Sequence, residues 1–355
     1  MSTHEEEINA WLRLHLTHGL SLSKALLLLQ QFRHPEAIFK APGQALRALI
    51  GDKDLQALQA GPNLKLFQLS QDWLKQKGHW ILTLADEDYP QTFLNLPDPP
   101  LLLYGLGERA LLQQDAVAIV GSRQVTPYGK KIAVDFAKMI AKSGFSIVSG
   151  LALGVDTAAH QGALAAGSTI AILGTGIDVV YPAQNKPLAQ VIAENGVLLT
   201  EFPLQTPPKP ENFPRRNRLI AALAKAVLVV EAKVKSGSLI TARMAAEQGK
   251  DVFAIPGSIY APTSAGCHQL IKDGAYVCTV PEDVLFALGV ETVKPHKTSK
   301  TSDPALFAVG FTPEPIDIIA TRLKCDPASA LSTLLRLEMA GLVLALPGGR
   351  YQRVA

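Results

Sequence analysis

The chain has 355 residues, 48% of them hydrophobic, which is apolar material for two or three domains rather than one compact unit. A net charge of +3 announces no nucleic-acid partner, so any basic footprint has to be local. Cys267, Cys278 and Cys325 are widely spaced with no CxxC pair, which speaks against a zinc site or a disulfide framework and for a reducing compartment. The acidic opening Glu5-Glu6-Glu7 lacks the basic-then-apolar pattern of a secretory signal, and no apolar run approaches the ~20 residues of a membrane span. A cytoplasmic protein with no membrane contact is expected.

Residues 1–78 show helical periodicity, with Trp11, Leu12, Leu14 and Leu16 followed by Leu22, Ala25, Leu26, Leu29 and Phe32. They predict an N-terminal helical domain. Its Gly19-Leu20-Ser21 turn is similar to that of a helix-hairpin-helix or SAM-like module, although a packing or adaptor role fits the same residues. Residues 79–113, with apolar runs at Trp80–Leu84 and Leu101–Tyr104 around a proline-dense stretch, predict connector strands that open a domain extending to residue 290.

Strands and helices then alternate. Strands are predicted at Ala116–Val120, Phe145–Ser149, Thr169–Leu173, Val197–Thr200, Ala226–Glu231, Val252–Ile255 and Tyr276–Cys278. The helix Pro127–Ser143 carries Thr126 as its N-cap candidate and Gly144 as its stop. Near-continuous Val, Ile, Leu and Ala in the strands imply a sheet covered on both faces. The fold class is α/β: a Rossmann-like, doubly wound, mostly parallel sheet. Residues 291–304 carry lysine, serine, threonine and proline with little to bury and predict a linker. Residues 305–355 follow the helix, helix, helix, hairpin order of a winged-helix domain.

Ligands of such sheets sit outside the carboxyl ends of the strands, so residues immediately after strands carry the functional argument. Gly121-Ser122-Arg123 combines close backbone approach, a hydroxyl and a planar guanidinium for phosphate. Ser149-Gly150 opens a glycine-rich turn into a helix predicted at Thr157–Ala166, where amides gather at a positive helix end. It is neither GxGxxG nor a Walker A loop, so an ordinary dinucleotide or nucleoside triphosphate is not expected, nor any other cofactor. Asp156 and His160, four apart, are read as a helix-start carboxylate and a structural histidine rather than metal ligands.

The window Lys209 to Arg218, containing Asn212, Phe213, Arg215, Arg216, Asn217 and Arg218, is the most basic short stretch. With Pro214 taken as the first helical residue, three arginines oppose the helix dipole at about 0.3–1 kcal/mol each, which makes sense if an anion completes the cluster. Pairing of those arginines with carboxylates of another domain is the bland alternative. Phe213 is either a base-stacking surface or core packing. Ser236-Gly237-Ser238 at another helix start offers amides and hydroxyls to a phosphate. Repeated anion sites along one edge suit a chain of phosphates better than one mononucleotide.

The runs GSR (121–123), SGLALGVDTAAHQGAL (149–164), GTGIDVVYP (174–182), TEFP (200–203), FPRRNRLIAALA (213–224), SGSLITA (236–242), FAIPGS (253–258) and GCHQLIKDGA (266–275) resemble the DprA/Smf family of DNA-processing proteins. The resemblance implies a single-stranded DNA-binding protein, neither catalytic nor metal-dependent, that dimerises and loads the RecA recombinase in natural transformation. It implies DNA contacts at Arg123, Lys209–Arg218 and the helix starts after Ser149 and at Ser236, and a homodimer surface around His268 to Val277, with Leu270 and Ile271. Where a basic residue is expected after Tyr181-Pro182 the chain has Ala183, and Lys186 is the candidate substitute. Two further readings compete. One is a nucleoside-monophosphate phosphoribohydrolase-like enzyme, although Arg243 stands near the place of its acid; the other is a DNA-binding regulator acting through the winged helix.

Overall fold

The computed structural model describes residues 3–290 and 303–353. Five helices open the chain: α1 Thr3–His15, α2 Leu22–Phe32, α3 Pro35–Lys40, α4 Gly43–Ala60 and α5 Leu64–Leu74. α4 is broken at Gly51, whose φ of 79° no ordinary helix position adopts. The connector forms β1 His79–Thr83, a short α6 Gln91–Leu94 and β2 Leu102–Gly107, with β1 and β2 antiparallel.

The alternating region follows as β3 Ala116–Val120, α7 Pro127–Lys142, β4 Ser146–Ser149, α8 Val155–Leu164, β5 Thr169–Ile172, α9 Lys186–Asn195, β6 Val197–Thr200, α10 Asn212–Leu223, β7 Ala224–Val229, α11 Gly237–Glu247, β8 Asp251–Ala254, α12 Ala265–Lys272, β9 Tyr276–Val277 and α13 Pro281–Ala287. The residues that start and stop α7 are those the sequence marks. Thr126 accepts from the Gly129 amide at 3.0 Å, Pro127 occupies the first turn, and Gly144 leaves the helix at φ 94°.

Among the described residues the main sheet has nine strands in the order β1-β2-β6-β5-β4-β3-β7-β8-β9. β3 to β9 pair in parallel except where β2 joins β6 antiparallel. Alternate strand residues face opposite layers. Val117, Ile119 and Ile147 meet α7, α8 and α13, whereas Ala118, Val148 and Val227 meet α10, α11 and α12. The N-terminal helices are not a detached body. Trp11, Leu28 and Trp73 share one core with Ala171, Leu198 and Ile192, and the Trp73 ring packs edge-on against Tyr104 of β2 at 5.7 Å.

The chain runs outward from β3 through β4, β5 and β6, then returns to place β7 on the other side of β3. The order therefore reverses at β3, and the crevice between its two neighbouring loops is where a doubly wound sheet takes its ligand.

After Asp303 the chain forms a 3-10 turn at Pro304–Ala308, a two-residue β10 Glu314–Pro315, α14 Ile316–Leu323, α15 Pro327–Met339 and the hairpin β11 Val343–Leu346 with β12 Arg350–Arg353. This is a winged-helix domain around Leu306, Ile319, Leu334 and Leu337. The predicted linker lies outside the described residues except for Asp303 and Pro304. No described helix is long and apolar enough to cross a membrane.

Candidate nucleic-acid interface

The loop after β3 is locked by its neighbours. The Ser122 amide donates to Glu231 O at 2.6 Å, and Ser122 O accepts from the Val155 amide at 3.1 Å, so the loops after β3, β4 and β7 are tied at one point. That closeness requires glycine twice. A Cβ on Gly121 would lie 2.6 Å from Val155 Cγ2, and Gly154 combines φ 83° with Ser122 O standing where a Cβ would have to go. The Glu231 carboxylate then accepts from the Thr126 amide at 3.0 Å and its hydroxyl at 2.5 Å, anchoring the start of α7.

These loops surround a groove of about 710 Å³. Gly121, Ser122 and Arg123 form one wall and Ser236, Gly237 and Ser238 another, with Phe213 and Asn217 of α10 between them. Ser236 caps α11, accepting from the Ser238 amide at 3.4 Å, so the positive end of that helix opens on the groove. Asn217 holds α10 to it by donating to Gly237 O at 3.3 Å. Arg123 is exposed, with its guanidinium carbon 5.4 Å from the Phe213 ring centre.

Behind this wall lies a buried polar support. Arg216 donates through Nη1 to Gly150 O at 2.7 Å and also to Ile172 O, and burial pulls its guanidinium down to about 10. Asp156 accepts from the amides of Gly150 at 3.1 Å and Ala152 at 3.3 Å. Burial raises its carboxyl, and the charge of Arg216 and the two amides pull the other way. His160 bonds through Nδ1 to Thr169 Oγ1 at 2.7 Å, and burial pushes it down to about 3, so it is neutral. Asp156 and His160 are thus both engaged by hydrogen bonds within the fold, and no group of three or more potential metal ligands occurs among the described residues.

Several sequence expectations need correction. α10 begins at Asn212, not at Pro214, so Arg215, Arg216 and Arg218 lie beyond its first three residues, where the dipole penalty has faded. Only Arg216 of the three lines the groove, as a floor residue engaged with carbonyls rather than a free cation. Arg215 and Arg218 turn away to Glu201 at 2.8 and 2.6 Å, and Arg218 adds Asp98 of the connector at 3.3 Å. Asn212 is buried, and Ser149 donates inward to Ile119 O at 2.7 Å. Gly150 faces a small side cleft, where a Cβ would meet the Arg216 guanidinium. Lys186 and Lys209 are exposed but line neither cavity.

On the predicted dimer face, Leu270 belongs to the chain's own core at 6% exposure and Ile271 packs against that core. His268 is half-buried, its Nε2 at 3.1 Å from Gly257 O. Val277 is exposed, together with Tyr276, Ile259 and Tyr260, the last at 89%.

The groove also contains Gln124, Lys233, Lys235, Tyr181 and Thr241, none of which the sequence reading selected. Lys233 reaches Gln124 Oε1 at 3.5 Å and Lys235 is exposed. Their signal was position alone, two lysines in the loop that follows a strongly apolar strand. Tyr181 gave none, because residues 174–180 stand between it and Leu173, the last residue of the nearest preceding strand by the sequence pattern.

Residues 80–289 match the family DNA recombination-mediator protein A, and residues 291–349 match the DprA winged helix domain. The chain is 41% identical over 300 residues to Protein Smf of Escherichia coli, covering 80% of each chain. It is 46% identical over 204 residues to the DNA processing protein DprA of Streptococcus pneumoniae, covering 57% of this chain and 72% of the relative. The crystal structure of Streptococcus pneumoniae DprA superposes with a TM-score of 0.68 at 36% identity, over 81% of this chain and 98% of that one. A DNA processing protein A from Helicobacter pylori, whose structure concerns its single-stranded DNA binding mode, gives 0.54 at 36% identity, over 59% of this chain and 95% of its own. With its sequence, sheet and winged helix in agreement, the chain belongs to the DNA recombination-mediator protein A (DprA/Smf) family.

Proposed function

We propose that the protein binds single-stranded DNA along the groove at the β3 switch point and acts in DNA processing during transformation, passing the strand to a RecA recombinase. The observation that carries the reading is the joining of three loops at Ser122, which brings Arg123, Lys233, Lys235 and the start of α11 to one groove beside Phe213. Separate cationic heads and a helix terminus spread along a groove suit successive phosphates, and an aromatic beside them suits unpaired bases. The naming of the Helicobacter pylori relative for single-stranded DNA binding supports the same reading.

Binding is the expected role, without chemistry. A hydrolase of nucleoside monophosphates would need a carboxylate where Arg243 stands, and Arg243 is exposed outside the groove. Asp156, the carboxylate that does line it, is held by two amides. Duplex reading by the winged helix is also disfavoured, since α15 presents Leu331, Leu335 and Met339 outward and its Arg336 is paired with Asp303 at 2.6 Å. A second copy of the chain would dock on the outer edge of the sheet, where Tyr276 and Val277 of β9 are exposed.

The test is a salt titration of oligo-dT binding. The logarithm of affinity should fall against the logarithm of salt with a slope of about −0.7 per phosphate held. A flat response, or hydrolysis of nucleoside monophosphates abolished by changing Ser236-Gly237-Ser238, would reverse the reading.

A further inference from the structure

Between the connector, α10 and the end of α11 lies a second cavity, of about 630 Å³, a size within the usual range for small-ligand sites. Thr92, Leu96, Pro97 and Asp98 form its connector side, and Arg218, Met244 and Lys250 face them. None of these residues lines the strand groove. Two polar groups on its wall carry donors that no described residue takes up. Arg218 is 7% exposed; its Nη2 reaches Glu201 and its Nε stands 3.3 Å from Asp98 Oδ2 in an ion pair, yet Nη1 has no hydrogen-bond partner. The buried Thr92 hydroxyl has none either. A buried donor left unmet is costly, most of all on a charged group, so the chain alone does not complete this wall. Lys250 donates to Ala221 O at 2.7 Å and Ala222 O at 2.5 Å, which leaves one ammonium N–H over.

The charges of the lining balance, Arg218 and Lys250 against Asp98 and Glu247. A simple anion would meet as much repulsion as attraction there, whereas a ligand carrying both signs answers both. Asp98 stands 3.3 Å from Arg218, so opposite charges lie side by side on the wall. They do the same on an α-amino acid, whose ammonium and carboxylate sit on adjoining carbons. Leu96, Pro97 and Met244 add an apolar patch next to them. We propose that this cavity binds a free α-amino acid with an apolar side chain, its carboxylate taken by Arg218 Nη1 and the Thr92 hydroxyl and its ammonium by Asp98. The Asp98 side chain is 48% exposed and holds Nε without a hydrogen bond, so a small turn of it admits the carboxylate to Nη1. The proposal is independent of the single-strand reading.

The probe is L-leucine, titrated calorimetrically into the full chain. Alongside it run leucinamide, which lacks the carboxylate, 4-methylpentanoate, which lacks the ammonium, and inorganic phosphate. Leucine should bind saturably, and the three controls at least about 10-fold more weakly, since each leaves a charged wall group unmet. Thr92→Val keeps the shape and removes the hydroxyl, and it should weaken leucine binding about 5- to 30-fold. Because that hydroxyl has no partner in the chain, the melting temperature of Thr92→Val should not fall. Met244→Trp fills the cavity and should abolish binding, and leucine should raise the melting temperature of the parent but not of this variant. Should Met244→Trp fail to fold, Thr92→Val alone decides. No leucine binding, a control that matches leucine, or an unchanged leucine affinity in Thr92→Val would each overturn the proposal. Displacement of leucine by an equal concentration of phosphate would make this a site for simple anions and overturn it as well.

Discussion

Arg123→Ala isolates the one groove arginine whose head is free. Its guanidinium is exposed beside the Phe213 ring at 5.4 Å, whereas Arg215 and Arg218 are committed to Glu201 and Arg216 to backbone carbonyls. A hydrogen bond to a charged group is worth about 1.5–3 kcal/mol when well covered, and an exposed cation over an aromatic adds about 0.5–1. Screening at this open position reduces the sum to about 1–2 kcal/mol, a loss of roughly 5- to 30-fold in oligo-dT affinity. Losing one phosphate contact should also reduce the magnitude of the log-log salt slope by about 0.7, so between roughly 50 and 200 mM salt the penalty should shrink about 2.6-fold. Fluorescence anisotropy at several salt concentrations measures both. Arg123→Lys should keep most of the slope but recover only part of the affinity, because an ammonium cannot make the planar two-point contact. A slope unchanged in Arg123→Ala, whatever the affinity, would show that this side chain meets no phosphate.

Three further outcomes follow from burial and exposure. His160 is held down to about 3 by burial, far below the ~6.5 of an unfolded histidine, so between those values the unfolded chain binds the extra proton and the folded one does not. Stability should therefore be complete above about pH 6.5 and fall as pH drops toward 3, at up to about 1.4 kcal/mol per pH unit, and His160→Gln should flatten that fall in thermal melts; an identical pH profile in the variant would refute the assignment. On the proposed dimer face, Val277→Asp should convert a dimer to a monomer by light scattering at unchanged melting temperature, whereas Leu270→Ala should cost about 2–5 kcal/mol of stability by opening the core; a monomeric but fully stable Leu270→Ala would place that leucine at the interface instead.

The parallel sheet was legible because its strands are near-continuous runs of Val, Ile, Leu and Ala and the loops after β3, β4 and β5 carry Gly121, Gly150 and Gly174, so period and punctuation agree there. Gly121 and Ser236-Gly237-Ser238 were legible for the same reason, since their role depends on backbone geometry next to a strand or at a helix start. What failed was the direction of side chains. Arg215, Arg216 and Arg218 read as one basic cluster, but successive helix residues are about 100° apart, so the three cannot share one face. Leu270 was placed at the interface by the resemblance, which implies the whole stretch His268 to Val277, yet its helical phase turns it toward the core occupied by Cys267. Tyr181 was invisible because its partner, Phe213, is 32 residues away and only the fold brings the rings together.

The sequence argument placed the positive charge of the site in α10, and the structure moves it. Glu201, at the end of β6, is nearly sealed from solvent and receives both Arg215 and Arg218. A buried carboxylate without such partners would be driven to protonate, so the two arginines are explained by the fold alone. That removes the main reason for requiring an anion at the start of α10, and it leaves the groove with fewer free cations than the basic window suggested. What remains is Arg123, Lys233 and Lys235, each on a loop that follows β3 or β7, around the α11 terminus. These loops flank the reversal of strand order, so the charge now sits where the topology opens the sheet. An interface built from three flexible heads and backbone amides can follow a phosphate chain of varied sequence, since none of these groups has the fixed donor-acceptor pattern that reads a base edge.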